Sequence, residues 1–114
     1  MKLKQKIVDD TVTITIEGNI IHEGIKPLRD FLKPLLEDSD IANFILDMKD
    51  VNTIDSSGVG FIVQTYKMLL REGKRFVLTS LSEKCNDVLT LTKLNKILTI
   101  VADNEAAMRV IAES

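Results

Sequence analysis

The segment from Val51 to Gly60 constrains this chain more than any other, because two different periodicities meet across it. Upstream, Phe44-Ile45-Leu46-Asp47-Met48 is a short apolar run with the length and flanks of a buried strand. Downstream, Val59, Ile62, Val63, Tyr66, Leu69 and Leu70 recur at the spacing that gathers apolar side chains on one helical face. A strand must therefore hand over to a helix within Ile54-Asp55-Ser56-Ser57-Gly58. The first turn of a helix leaves backbone N–H groups without intrahelical partners, and Asp55 and Ser56 are residue types that cap such an end. A phosphate on Ser56 would lie beside those N–H groups and the positive end of the helix dipole. It would set about 1.5 to 2 negative charges against Asp55, enough to alter any interface formed there. Small residues at 56, 57, 58 and 60 would let a partner approach the backbone closely. Residue types alone leave both the plain cap and the regulated hydroxyl open.

The flanking sequence supplies the rest of an α/β order. Residues 3–8 form a first strand and Asp9-Asp10 a turn. Val12, Ile14 and Ile16 then alternate with threonines in a strand buried on one face, which ends at Gly18-Asn19. A helix begins between His22 and Pro27, with Pro27 tolerated in its first turn. Its core face is Ile25, Leu28, Leu32, Leu35 and Leu36, with Phe31 at the edge. An interior proline costs about 3 kcal/mol, so Pro34 predicts a kink or an early end near Lys33. Residues 42–48 are the next strand, and the helix after the junction spans about 57–71 and closes at Gly73. Arg75 to Thr79 is a further strand, and Ser82 caps a short helix burying Cys85, Val88 and Leu89. Lys96 to Val101 reads as the last strand, and Asp103 caps a final helix burying Ala106, Ala107, Val110 and Ile111. The N-terminal hairpin followed by alternating strands and helices predicts a mixed sheet with right-handed crossovers.

Composition narrows the function classes. With 114 residues there is room for one core, so residues 1–114 are expected to be a single domain. No apolar run reaches the roughly eighteen residues that would span a bilayer, and the basic N-terminus leads into no signal-peptide core. Direct membrane insertion is therefore not expected. The net charge of −2, with acids and bases interspersed, offers no basic surface for nucleic acid. The one cysteine, Cys85, cannot form an internal disulfide and reads as a buried hydrophobe, in keeping with a reducing, cytoplasmic compartment.

Enzymatic readings of the junction fail one by one. Gly58-Val59-Gly60 has Val63 where a dinucleotide loop requires its third glycine. Ser56 is not in a nucleophile elbow, since Ile54 takes the place of the first glycine. Asp47, Asp50 and Asp55 lie close in sequence, but acids at strand ends are commonplace and do not by themselves argue for magnesium. His22 is the one histidine, and with one cysteine it makes no zinc set; a surface position near a helix start is expected for it. No cofactor and no catalytic group is expected.

Ile45-Leu46-Asp47-Met48-Lys49-Asp50-Val51 followed by Ile54-Asp55-Ser56-Ser57-Gly58-Val59-Gly60 resembles the signature of STAS-domain anti-sigma factor antagonists. The likeness continues through Leu78-Thr79-Ser80-Leu81-Ser82 and Leu91-Thr92-Lys93-Leu94-Asn95-Lys96-Ile97-Leu98. The resemblance implies a small mixed sheet with about four helices packed mainly on one side. It implies a regulator that acts by partner switching and is not an enzyme. Such a protein binds an anti-sigma factor that is also a serine kinase, is phosphorylated by it at the residue matching Ser56, and is reset by a PP2C-type phosphatase. By the same match, Asp55 would shape the phosphoacceptor site, and Ser57 and Gly58 would belong to the contact surface. The chain departs from the family where a G-E-L-D-like sequence is usual: Gly18-Asn19-Ile20-Ile21 puts isoleucine in place of the acid. Related domains also serve as subunits of transporters and signalling scaffolds, which is the alternative reading.

Overall fold

Alternation in the second strand sets the inner layer. The computed structural model describes residues 1–113, and in it β2 (Thr11–Glu17) buries Val12, Ile14 and Ile16 completely while its threonines face the other side. It pairs antiparallel with β1 (Lys2–Val8) through a turn in which Asp9 takes a left-handed φ of 54°. The apolar run read at 42–48 is β3 (Asn43–Asp50), parallel to β2 and buried on both faces. β4 (Arg75–Thr79) and β5 (Thr99–Val101) follow in parallel, so the five strands lie in chain order, β1-β2-β3-β4-β5.

That order decides where the helices go. Crossovers between successive parallel strands advancing in one direction, all of one hand, fall on one face of a sheet. Accordingly α1 (His22–Leu36), α2 (Ser56–Arg71) and α3 (Glu83–Leu91) cover the face carrying Ile14, Phe44, Leu46 and Leu78. Among the described residues no strand follows α4 (Asn104–Ala112), and it returns over the other face, where Ala107 packs with Ile45 and Val77. The mixed sheet with helices mainly on one side is the expected one.

Several local expectations are corrected. The helix does not end at Lys33: α1 continues through Pro34 to Leu36, because Leu32 and Leu35 bury their side chains on either side of the proline and Glu37 N–H still bonds the Lys33 carbonyl at 3.1 Å. Pro27 is the sixth helical residue, in the second turn rather than the first, since the helix opens at His22. The stretch from Lys96 is not strand throughout. Leu94–Lys96 is a 3₁₀ turn behind Lys93 (φ 61°), and Leu98 N–H bonds the Leu94 carbonyl at 2.8 Å. The apolar spacing read there as strand is in part that of a turn. In α2 the buried side chains are Phe61, Ile62, Thr65 and Leu69, whereas Leu70 is 61% exposed. In α4 Ala107 is buried and Ala106, Val110 and Ile111 are half-buried. Ser82 and Asp103 cap α3 and α4 as expected, accepting from Cys85 N–H at 3.1 Å and Ala106 N–H at 2.8 Å.

Candidate functional site

The junction is held by backbone before any side chain acts. Val51 N–H bonds the Met48 carbonyl at 3.0 Å as β3 ends, turning the chain. Ile20, fully buried, then pairs with Ile54 in an isolated parallel bridge: Ile20 N–H donates to Thr53 at 3.2 Å and Asp55 N–H donates to Ile20 at 3.3 Å. The Asn19 side chain accepts from Thr53 N–H at 3.2 Å, and Ser82 Oγ donates to the Asn52 carbonyl at 3.1 Å. Three connections (after β2, β3 and β4) thus converge on 51–55. The sequence offered no signal for the Ile20 bridge, since Gly18-Asn19 already reads as the end of the strand.

Gly58 follows from that bridge. It is buried, and a Cβ built on it would overlap the Ile20 carbonyl oxygen, with Ile20 Cγ2 at 3.2 Å. The same construction at Gly60 meets nothing within 4 Å. The two glycines of the motif therefore have different reasons for being there. Gly58 lets α2 start against the β2–α1 connection, while Gly60 leaves a gap on the surface.

Asp55 is the centre of the site. Its Oδ1 accepts from Gly58 N–H at 2.9 Å, the ordinary N-cap bond of α2. Its Oδ2 accepts from His22 N–H, the first residue of α1, at 3.1 Å. One carboxylate therefore caps two helices. The need for the second bond is visible at Ile21, the N-cap residue of α1, whose side chain makes no capping bond. The His22 N–H is the first donor of α1, and Asp55 satisfies it from across the junction. Hydrogen bonds from Gly58, then from the His22 and Ser57 backbones, hold the Asp55 carboxyl below its usual pKa, against the opposing effect of desolvation.

The hydroxyls beside it differ. Ser56, the first residue of α2, is exposed; Ser57 is half-buried. Of the first N–H groups of α2, that of Gly58 is taken by Asp55. From Ser57 an open groove of about 690 Å³ runs between α1 and α2, with His22, Lys26 and Arg29 on one side and Ser57, Gly60 and Gln64 on the other. Asp47 belongs elsewhere. It is buried on the α4 face, where Oδ2 accepts from Asn104 Nδ2 at 3.1 Å and Oδ1 from Lys49 N–H at 3.1 Å. Thr79 Oγ1 donates to Asn104 Oδ1 at 2.6 Å and completes the link from the sheet to α4. Asp47 and Asp55 thus have separate structural partners, and no three His, Cys, Asp or Glu residues gather as a metal site among the described residues. Cys85 is fully buried; burial raises its thiol pKa and its Sγ lies 3.6 Å from the Val51 carbonyl. Among the described residues, no helix is long and apolar enough to cross a membrane.

The chain is a small α/β fold with a doubly capped helix junction, an exposed hydroxyl and an open groove beside it. Its family is shown by comparison: residues 2–107 match the STAS domain model, and the chain belongs to the STAS domain family. It is 32% identical over 101 residues to the anti-sigma-B factor antagonist of Bacillus subtilis, spanning 89% of this chain and 91% of that protein. A crystal structure of a Thermotoga maritima protein provisionally named an anti-sigma factor antagonist superposes with a TM-score of 0.91 at 30% identity, over 96% of this chain and 94% of that one. The anti-sigma factor antagonist SpoIIAA in its unphosphorylated form shares the fold, with a TM-score of 0.74 at 20% identity, over 97% of this chain and 98% of that one. The resemblance first met in the motif thus extends over nearly the whole chain, and the family is one of anti-sigma antagonists, regulatory proteins rather than enzymes.

Proposed function

We propose that this protein is an anti-sigma factor antagonist that works by partner switching, binding an anti-sigma factor with serine-kinase activity and leaving it once Ser56 is phosphorylated. The observation that carries the reading is an exposed Ser56 beside the Asp55 carboxylate, which accepts from Gly58 N–H and His22 N–H. The charge of a phosphate there adds to that of Asp55 on the surface a partner would cover. In this reading Asp55 shapes the acceptor site, Ser57 contributes to the contact surface, and Gly58 sets the height of α2 relative to that surface. A PP2C-type phosphatase restores the free hydroxyl, the whole chain 1–114 acts as one domain, and the protein works in the cytoplasm.

The test is phosphorylation by the serine-kinase anti-sigma factor of the same organism with ATP, followed by mass-spectrometric mapping. Phosphate at Ser56 is expected; phosphate at no residue, or only outside 55–58, refutes the switch. In binding measurements Ser56→Asp is expected to lose most affinity while Ser56→Ala keeps it. Equal affinity of the two variants counts against an electrostatic switch.

A further inference from the structure

We propose that the α1–α2 groove seats an acidic amphipathic helix contributed by the partner, and that Arg29 and Met68 are its principal charged and apolar contacts. This rests on the partner-switching reading and adds the chemistry of what docks. One carboxylate caps both helices at their starts, and α1 and α2 flank one groove from there onward. The groove takes in positions 22 to 29 of one helix and 57 to 68 of the other. At 1.5 Å per residue those stretches are roughly 10 and 16 Å long, which matches two to three turns of a docked helix.

The apolar surface is arranged to suit such a helix. Ile25, Phe61 and Met68 contribute it, Phe61 and Met68 standing seven residues apart on the same face. Met68 is 38% exposed, although it lies on the amphipathic helix that supplies much of the core. A flexible thioether at a groove edge adapts to an incoming apolar side chain.

Charge selects the occupant. In a chain of net charge −2, the groove presents His22, Lys26 and Arg29 and no acid. The Lys26 ammonium is shared with Asp30 at 2.7 Å. Arg29, exposed and in no ion pair among the described residues, presents a planar guanidinium suited to a carboxylate. The regulatory consequence follows directly: a phosphate at the Ser56 end of the groove repels an acidic helix and competes with it for the same cations.

The experiment has two arms. In the first, the full-length ¹⁵N-labelled protein is titrated with two helical 14-residue peptides of one leucine–alanine framework, one carrying glutamates and the other lysines. The glutamate peptide is expected to saturate and to shift amides in 22–29 and 57–68. Its affinity should fall at least tenfold in Arg29→Glu and in Met68→Asp, stay level in the exposed α3 control Lys84→Glu, and weaken with salt. No saturable binding of the glutamate peptide, equal binding of the lysine peptide, or shifts confined to another face overturns the proposal. In the second arm, Arg29→Glu is measured against the serine-kinase anti-sigma factor, and a tenfold loss is expected. An unchanged affinity overturns the groove as its seat. A kinase that does not bind the wild-type protein overturns partner switching instead, and the peptide arm then decides the groove separately.

Discussion

Replacing Gly58 with alanine adds one methyl group at the most crowded point of the junction. The new Cβ would overlap the carbonyl oxygen of Ile20. That oxygen cannot swing aside freely, because it accepts from Asp55 N–H and Ile20 N–H is bonded to Thr53. The relief must come from α2, whose first turn would lift and stretch the Gly58–Asp55 cap. Overpacking of this kind costs about 1–3 kcal/mol, and one weakened backbone bond adds about 1 kcal/mol. Alanine returns about 1 kcal/mol through helix propensity, leaving a net loss of about 1–3 kcal/mol. For a chain of this length that lowers Tm by roughly 4–12 °C. Gly60→Ala is the internal control: its Cβ meets nothing within 4 Å, so the propensity gain stands alone and Tm rises by a few degrees. Thermal unfolding followed by circular dichroism, with urea melts for the free energies, measures both. A Gly58→Ala protein as stable as wild type, or a Gly60→Ala protein destabilised as much as its neighbour, would refute this account of the junction.

Other perturbations probe the caps and the sheet. The Asp55 carboxyl titrates below its unfolded value near 3.8, so its contribution to stability is present above that pH and is lost as pH falls through the lower folded value. Asp55→Asn should flatten the acid limb of a Tm-versus-pH curve below about pH 4, and an unchanged acid limb would show that the double cap is not linked to stability. Asn104→Ala removes the bridge between Asp47 and Thr79 and leaves a buried carboxylate short of a donor. A loss of about 1–3 kcal/mol is expected, with faster amide exchange in α4 while the β2–β3 amides stay protected. Ser82→Ala deletes both the α3 cap and the tie to Asn52; about 1 kcal/mol is expected from the cap, read in urea melts.

What could be read in advance was what depends on neighbours in the chain. Val12, Ile14 and Ile16 alternate on a sheet face in any α/β context. Asp55, Ser82 and Asp103 each accept from an N–H three residues on. Even the junction's place between β3 and α2 was legible, because period two gives way to period 3.6 within a few residues. The errors have the same origin. Pro34 reads as a kink or an early end of α1 because its local penalty is visible, while the packing of Leu32 and Leu35 that carries the helix on to Leu36 is not. Leu98 reads as strand because apolar spacing does not show the turn whose Leu94 carbonyl takes its N–H.

For the motif itself, sequence alone determined that a helix starts at Asp55-Ser56-Ser57-Gly58 and that an N-cap and small residues stand there. The tertiary structure decided what those residues meet. Asp55 reaches His22, 33 positions earlier, because α1 begins beside α2. Gly58 must be small because Ile20 crosses its path, whereas Gly60 has open space. Which cations stand across the groove from Ser57 follows from the same packing of α1 against α2. A chain's caps and periods are local properties, but the partners of a carboxylate are set only when distant segments are brought together.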